Sequence, residues 1–304
     1  MKVLIIGLPH FAKRLTEELK QFDKGNQYIC LDTYYSFLDK FRFLYHVRNC
    51  DIVYSLNGSI YNARAFDMAL KLKKKLIIHW VGTDVIKANE SHQKGLVNQK
   101  YIDEAAHFCE VDWIKLELEE IGVSAEPVPF LSFDDKGYTA EPFPEKFSLL
   151  TYIGLNRAEF YGFTEIITLA RKFPNIEIKV IGISNYGELL PENVKLLGWV
   201  KDMNSTINNA VACVRFPKHD GLSGFVLESL ACGRHVIYKY AFPHCSQVND
   251  MTELEDATNS LNQKFSSGEL HMNTEGAAYI KAEFSQEKVL SNLIEKFNTA
   301  LNER

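Results

Sequence analysis

Apolar positions along this chain fall into short runs that alternate with longer amphipathic segments over most of its length. β-Branched and aliphatic runs at 2–6, 27–31, 51–54, 75–80, 106–110 and 126–130 predict strands in the first half. Between them, segments such as "FAKRLTEELKQF", "ARAFDMALKLKK" and "DWIKLELEEIG" carry helical spacing, and the last stops at Gly122, as helices commonly do. Strand runs separated by helix-length segments imply parallel pairing through helical crossovers.

The pattern breaks at 132–146, "SFDDKGYTAEPFPEK", where Pro142, Pro144, Gly137 and mixed charge predict a linker. A second strand series follows at 148–153, 177–181, 194–197, 210–215 and 235–239, with helices such as "FTEIITLARKF" between. The expected architecture is α/β, with two Rossmann-like domains facing each other across a cleft: residues 1–145, including the linker, and 146–304. The closing segment "SQEKVLSNLIEKFNTALNER" is helical and is a candidate for packing back on the first domain.

Composition narrows the class. With 46 % apolar and 24 % charged residues among 304, a substantial core is available, and the net charge of −5 argues against a general nucleic-acid binder. Six cysteines without CxxC spacing point to a reduced, cytoplasmic chain. The apolar run in "MKVLIIGLPH" is too short for a signal peptide, and no run approaches the roughly 20 residues of a membrane span. The nine histidines form no HExxH pair and there is no Asp-x-Asp motif, so no metal site and no cofactor are expected.

Candidate chemistry concentrates at "HDGLSGFVLESLACGRHVIY", which follows the apolar run "VACV". A strand, glycine turn and helix in this order would direct backbone amides of Gly221, Leu222, Ser223 and Gly224 outward at a helix N-terminus, a setting suited to a diphosphate. Glu228, one turn into that helix, can accept hydrogen bonds from ribose hydroxyls, and Asp220 stands on the other side of the turn, placed for a donated sugar. A purely structural account is equally open here: Glu228 complementing the helix dipole, and the glycines making a tight turn.

This stretch resembles the signature of retaining group 1 (family 4-like) glycosyltransferases of the GT-B fold. Gly221, Glu228, Ala231, Cys232, Gly233, Val236 and Ile237 match in register, with Asp220 where that family usually has glutamate. Upstream, "VKLLGWVKDMNSTINNAVACVRFPKHDG" is similar to the segment that holds the nucleotide base, which implies base contacts at Trp199 and Val200. "LLTYIGLNRAEFYGFTEIITLA" resembles the opening of the donor domain, and the likeness covers nearly all of 148–240. It implies metal-independent sugar transfer from a nucleotide diphosphate sugar to a glycan or lipid-linked acceptor, as in surface polysaccharide or lipopolysaccharide synthesis. One departure stands out: the family's arginine is matched by Arg157, but its lysine is replaced by Tyr161, before Gly162. Lys218 or His219 can supply the missing positive charge. Two alternatives remain open at this point, a nucleotide-sugar epimerase and a non-catalytic sugar-nucleotide binder.

In the first half, "LIIHWVGTDV" resembles the strand end of acceptor domains, which implies that His79 or Asp84 faces the cleft and handles the acceptor proton. Asp84 as a helix cap and His79 as a core histidine are the structural alternatives. Gly7 and His10, in the loop after the first strand, line the acceptor side. Residues 34–48, "YYSFLDKFRFLYHVR", space aromatics helically among Lys40, Arg42, His46 and Arg48. That helix either packs its aromatics into the first domain or rests peripherally on an anionic membrane.

Overall fold

The computed structural model describes residues 1–133 and 137–303. The chain divides into two units, Met1–Ser132 with Gln286–Arg304, and Phe133–Ser285. In the first, strands β1 (Lys2–Gly7), β2 (Gln27–Cys30), β3 (Ile52–Leu56), β4 (Lys75–Trp80), β5 (Ala106–Cys109) and β6 (Glu126–Pro127) form a parallel sheet in the order β2-β1-β3-β4-β5-β6. β1, β3 and β4 are almost wholly buried, as expected where helices cover both faces of a parallel sheet. The predicted strand at 126–130 shrinks to the two residues of β6 on the edge, after which Val128 donates one more bond to the Cys109 carbonyl at 2.7 Å.

The second unit holds β7 (Ser148–Tyr152), β8 (Glu177–Ile181), β9 (Val194–Gly198), β10 (Ala212–Arg215), β11 (His235–Tyr238) and β12 (Ser246–Gln247), ordered β12-β11-β10-β7-β8-β9 and parallel throughout. Counted within the unit, this is the 3-2-1-4-5-6 arrangement of dinucleotide-binding sheets, and its strand order reverses between β7 and β10. In the first unit the reversal lies between β1 and β3. Open parallel sheets bind ligands outside the carboxyl ends of the strands at such points, so each sheet marks one place to look.

The closing helix Gln286–Asn302 belongs to the first unit. It buries Val289, Leu290, Leu293, Phe297 and Ala300, sets Phe297 5.0 Å from the Tyr54 ring, and pairs Lys296 with Glu126 at 2.6 Å. Residues expected to be a linker within the first domain instead fold with the second unit. Of that linker, Asp134, Asp135 and Lys136 lie outside the described residues. The rest is held by a polar network: Thr139 donates its N–H to Asn204 Oδ1 (3.0 Å), Glu141 donates to Asn208 Oδ1 (3.2 Å), and Asn208 Nδ2 donates to the Thr139 carbonyl (2.8 Å). Arg234 anchors the network from below, fully buried, donating to Asn208 Oδ1 (2.7 Å) and to the Glu141 carbonyl and lying 5.1 Å from the Phe143 ring centroid.

Because each of those bonds shares an acceptor or donor with the next, removing the guanidinium should loosen the whole strap. Arg234→Ala is expected to lower the unfolding free energy by roughly 2–4 kcal/mol. It should also accelerate amide exchange at Thr139 and Glu141, measured by hydrogen–deuterium exchange.

Candidate nucleotide-binding and acceptor sites

At the β7/β10 reversal two loops meet. Gly162 adopts φ +78°, and a Cβ there would stand 2.0 Å from the Phe216 carbonyl oxygen, so only glycine lets the first loop approach the end of β10. Lys218 donates its N–H to the Phe160 carbonyl at 2.8 Å and closes the second loop onto the first. The helix Gly224–Ala231 starts there. Ser223 is its N-cap but makes no side-chain cap bond, and the first intrahelical bonds come from Val226 and Leu227 to the Ser223 carbonyl (3.0 and 3.1 Å). The Gly224 and Phe225 amides therefore precede the helical ladder and carry the positive end of its dipole. Gly221 and Leu222 are buried, so their contribution to a ligand site is backbone. Glu228 is half-buried one turn in, where its Oε1 accepts a 2.7 Å hydrogen bond from the Tyr138 hydroxyl.

Asp220 is engaged more tightly than its sequence position suggests. Arg215, 5 % exposed at the end of β10, grips both carboxylate oxygens, Nε to Oδ2 at 2.7 Å and Nη2 to Oδ1 at 2.9 Å. Tyr238 donates to Oδ2 at 3.3 Å, and the Asp220 N–H donates to the Tyr240 hydroxyl at 3.2 Å. The same guanidinium lies 4.7 Å from the Tyr161 ring centroid, and Tyr161 packs directly over Gly154. Tyr161 is thus an aromatic wedge above a buried arginine. Sequence reasoning missed Arg215; its signal was a cation closing an otherwise apolar strand five residues before Asp220.

Arg157 is exposed, its guanidinium 3.9 Å from the Phe160 ring, and Lys218 is exposed on the facing loop. The β7/β10 edge therefore gathers Arg157, Lys218, Asp220, the 221–224 backbone and Glu228. Trp199 and Val200 stand at the end of β9, two strands away from β7. Trp199 is 84 % exposed and Val200 half-buried. Among the described residues no group of three or more His, Cys, Asp or Glu converges as a metal cradle.

In the first unit, two expectations require correction. His79 does not face solvent: it is fully buried, with Nδ1 2.6 Å from the Tyr54 hydroxyl and its ring edge-on to Phe130 at 5.2 Å. Burial pushes its pKa down to about 3, so the ring is held neutral. The reason is positional, since His79 is the penultimate residue of a strand covered on both faces. Asp84 is 2 % exposed and accepts N–H groups from Gly58 (2.6 Å), Val81 (3.1 Å) and Val85 (3.1 Å), tying the loop after β3 to the loop after β4. Desolvation raises its pKa despite those bonds. Both residues organise the carboxyl edge instead of facing a ligand. His10 is exposed, 5.5 Å from the Phe11 ring.

Gly7 lies at the β1/β3 reversal, with φ +108° and no room for a Cβ, which would stand 2.3 Å from the Leu56 carbonyl oxygen. A cavity of about 660 Å³ opens beside it, reaching Ser55, Asn57, Tyr34, Phe37 and Phe41. The helix Phe37–His46 does not pack its aromatics inward: only Phe43 is buried, while Tyr35, Phe37, Leu38, Phe41 and Tyr45 are 84, 74, 68, 55 and 66 % exposed.

Solved structures with this architecture span the whole chain. A sucrose-phosphate synthase from Thermosynechococcus elongatus superposes with TM-score 0.75 at 11 % identity, covering 100 % of both chains. Anabaena HepE, solved with UDP and glucose, matches at TM-score 0.69 and 12 % identity over 98 % of this chain and 99 % of its own. The fold is GT-B. The lipopolysaccharide outer core galactosyltransferase WaaB shares this GT-B arrangement at TM-score 0.64 and 14 % identity, over 99 % of each chain. No family model and no curated protein matches the chain by sequence.

The buried His79 gives stability a pH dependence with a defined sign. Its folded pKa of about 3 lies below the ordinary 6.5, so between those values the unfolded chain binds the extra proton and stability falls as pH drops. The His79 contribution to that slope reaches about 1.4 kcal/mol per pH unit. Urea unfolding at a series of pH values from 7 down to 5 should show a shallower loss in His79→Gln than in wild type.

Proposed function

We propose that the protein is a retaining, metal-independent glycosyltransferase that moves a sugar from a nucleotide diphosphate donor held by the second unit to a glycan or lipid-linked acceptor held by the first. The observation that carries this reading is the β7/β10 crevice. There, helix N-terminal amides, a carboxylate one turn inside the helix and an exposed arginine from the facing loop converge at the reversal of a dinucleotide-binding sheet. The 221–224 backbone and the helix dipole suit the diphosphate. Glu228 accepts the ribose hydroxyls, exchanging the Tyr138 hydrogen bond for them. Arg157 and Lys218 neutralise charge as the diphosphate leaves, and the region of Trp199 and Val200 takes the base. Asp220, held rigid by Arg215, stands beside the glycine turn as the group placed for the donor sugar. The UDP and glucose bound to Anabaena HepE are of the same chemical class as this donor.

In this reading the protein works in the cytoplasm, with the exposed aromatic helix Phe37–His46 resting on the inner face of an anionic membrane. No described helix is long and apolar enough to cross one. Flotation with phosphatidylglycerol vesicles is expected to carry wild type and to fail with Phe37→Ser/Phe41→Ser; vesicles that leave wild type behind overturn the membrane contact.

Tyr161 favours a second reading. With an aromatic where the family has a cation, the site has one charge fewer to stabilise a leaving diphosphate, which suits a protein that binds a sugar nucleotide without turnover. Product analysis with donor and acceptor together separates the two. For the donor site itself, Glu228→Gln should weaken UDP-sugar affinity by about ten- to a hundredfold in calorimetry, because hydrogen bonds to a charged acceptor are lost. The melting temperature should stay close to that of wild type, since Glu228 is only half-buried. Unchanged affinity would remove Glu228 from the site.

A further inference from the structure

The strap that follows Ser132 reaches the site through one side chain. The Tyr138 hydroxyl donates a 2.7 Å hydrogen bond to Oε1 of Glu228, the carboxylate that the donor reading gives to the ribose. Its ring is half-buried and lies 5.6 Å from the Phe133 ring, steeply inclined to it. The backbone just beyond Tyr138 is fixed by other means. Thr139 donates its N–H to Asn204 Oδ1 at 3.0 Å, and its carbonyl accepts from Asn208 Nδ2 at 2.8 Å, both partners standing on the helix Met203–Asn208. Arg234 holds the Glu141 carbonyl. Ala140 packs where the helix Gly224–Ala231 ends, since a Cβ added at Gly233 would stand 3.3 Å from the Ala140 methyl. The strap therefore runs along that helix from the glycine that follows it back to Glu228.

A strap already tied at Thr139 and Glu141 needs no bond to a carboxylate to stay in place. What the Tyr138 bond adds is chemical: it sets a neutral hydroxyl on a charged acceptor, and such bonds are stronger than those between neutral groups. A ribose presents the same kind of donor. Its two adjacent hydroxyls meet a carboxylate best through both oxygens, so the phenol and the diol contend for Oε1. Because the fixed backbone at Thr139 delivers the phenol, it contends at the high effective concentration of a tethered group.

We infer that Tyr138 is a built-in competitor of the nucleotide: its hydroxyl stands in for a ribose hydroxyl on Glu228 and is exchanged for one each time a nucleotide binds. This rests on the reading that Glu228 holds the ribose, and it adds what regulates that contact. The exchange replaces one hydroxyl by another, so the net gain from the ribose is small and affinity is held down by the fraction of molecules in which Tyr138 has let go. For a transferase the consequence falls on the product. When the nucleoside diphosphate leaves after transfer, Tyr138 takes back Oε1, and the half-buried carboxylate keeps a donor throughout. The anchors at Thr139 and Glu141 do not involve Glu228, so the side chain can release while the strap stays tied.

The test is calorimetric and uses the full chain. Titration with UDP, ADP, GDP and CDP selects the ribonucleoside diphosphate that wild type binds tightest, and that nucleotide and its 2′,3′-dideoxy analogue are the probes. Tyr138→Phe, which removes only the hydroxyl, is expected to tighten the ribonucleotide by roughly five- to thirtyfold. The dideoxy analogue, which has no hydroxyl to exchange, should bind wild type and Tyr138→Phe alike. In a Glu228→Gln background the gain from Tyr138→Phe should fall to about threefold or less, because the contested acceptor is then neutral. With the strap anchors intact, the melting temperature of Tyr138→Phe should match that of wild type. Weaker binding in Tyr138→Phe makes Tyr138 a ligand contact, an equal gain for the dideoxy analogue makes the effect a general loosening, and a lowered melting temperature with unchanged affinity makes Tyr138 a structural clip; each of these overturns the proposal. The donor reading is separated by the single variants. Affinity that falls in Glu228→Gln but does not rise in Tyr138→Phe keeps the donor reading and overturns the competitor, whereas no binding of any of these nucleotides removes both.

Discussion

The second unit depends on one buried ion pair. Arg215 closes β10, and its guanidinium reaches the Asp220 carboxylate ahead, the Tyr152 carbonyl of β7 beside it at 3.4 Å, and the Tyr161 ring above. The end of β7 with the loop after it, and the loop after β10, are thereby fixed to one edge of the sheet. A pair this buried gains little over a well-packed apolar contact, but removing one partner leaves an uncompensated charge at a cost of about 3–5 kcal/mol. Its value is therefore geometric. It sets the position of the loop that delivers Gly221 to Gly224 and, one turn later, Glu228.

The first unit solves the same problem without a cation. Asp84 collects three backbone amides from the ends of two neighbouring strands, and its carboxylate stands in for the missing ladder where those strands become loops. Beside it, Tyr54 and His79 share a short hydrogen bond inside an aromatic core. Polar groups at such edges are costly to bury, and the loop amides that the Asp84 carboxylate accepts offset that cost. These knots hold in place the helix N-terminus in one unit and the cavity beside the exposed aromatic helix in the other.

Most of the strands were legible because a strand buried on both faces must be a continuous apolar run, and such runs are short and conspicuous. β12 escaped because two edge residues, both exposed, need no apolar pattern at all. The segment after Ser132 was misassigned for a related reason. Its prolines and charges describe a chain without regular structure, and nothing local reveals that Asn204, Asn208 and Arg234 would satisfy its backbone. Around Glu228, the strand, glycine turn and helix were legible from spacing alone. His79 and Asp84 were legible as strand-end polar residues, but the choice between a cleft-facing and a buried role was not, since burial depends on what neighbouring strands and helices place above them.

The sequence by itself determined two parallel α/β units, their glycine turns and the helix that presents Glu228, because these follow from local periodicity and from backbone conformations that only glycine tolerates. Tertiary structure alone decided which charges are paired. Arg215 closes a strand and Asp220 opens a glycine turn five residues later, and packing joins them into one buried ion pair. Lys40, in the crossover from β2 to β3, and Arg64, in the crossover from β3 to β4, are far apart in sequence, yet both line one cavity. Charge pairing is set by distances in space, and those distances are fixed only when the sheets close.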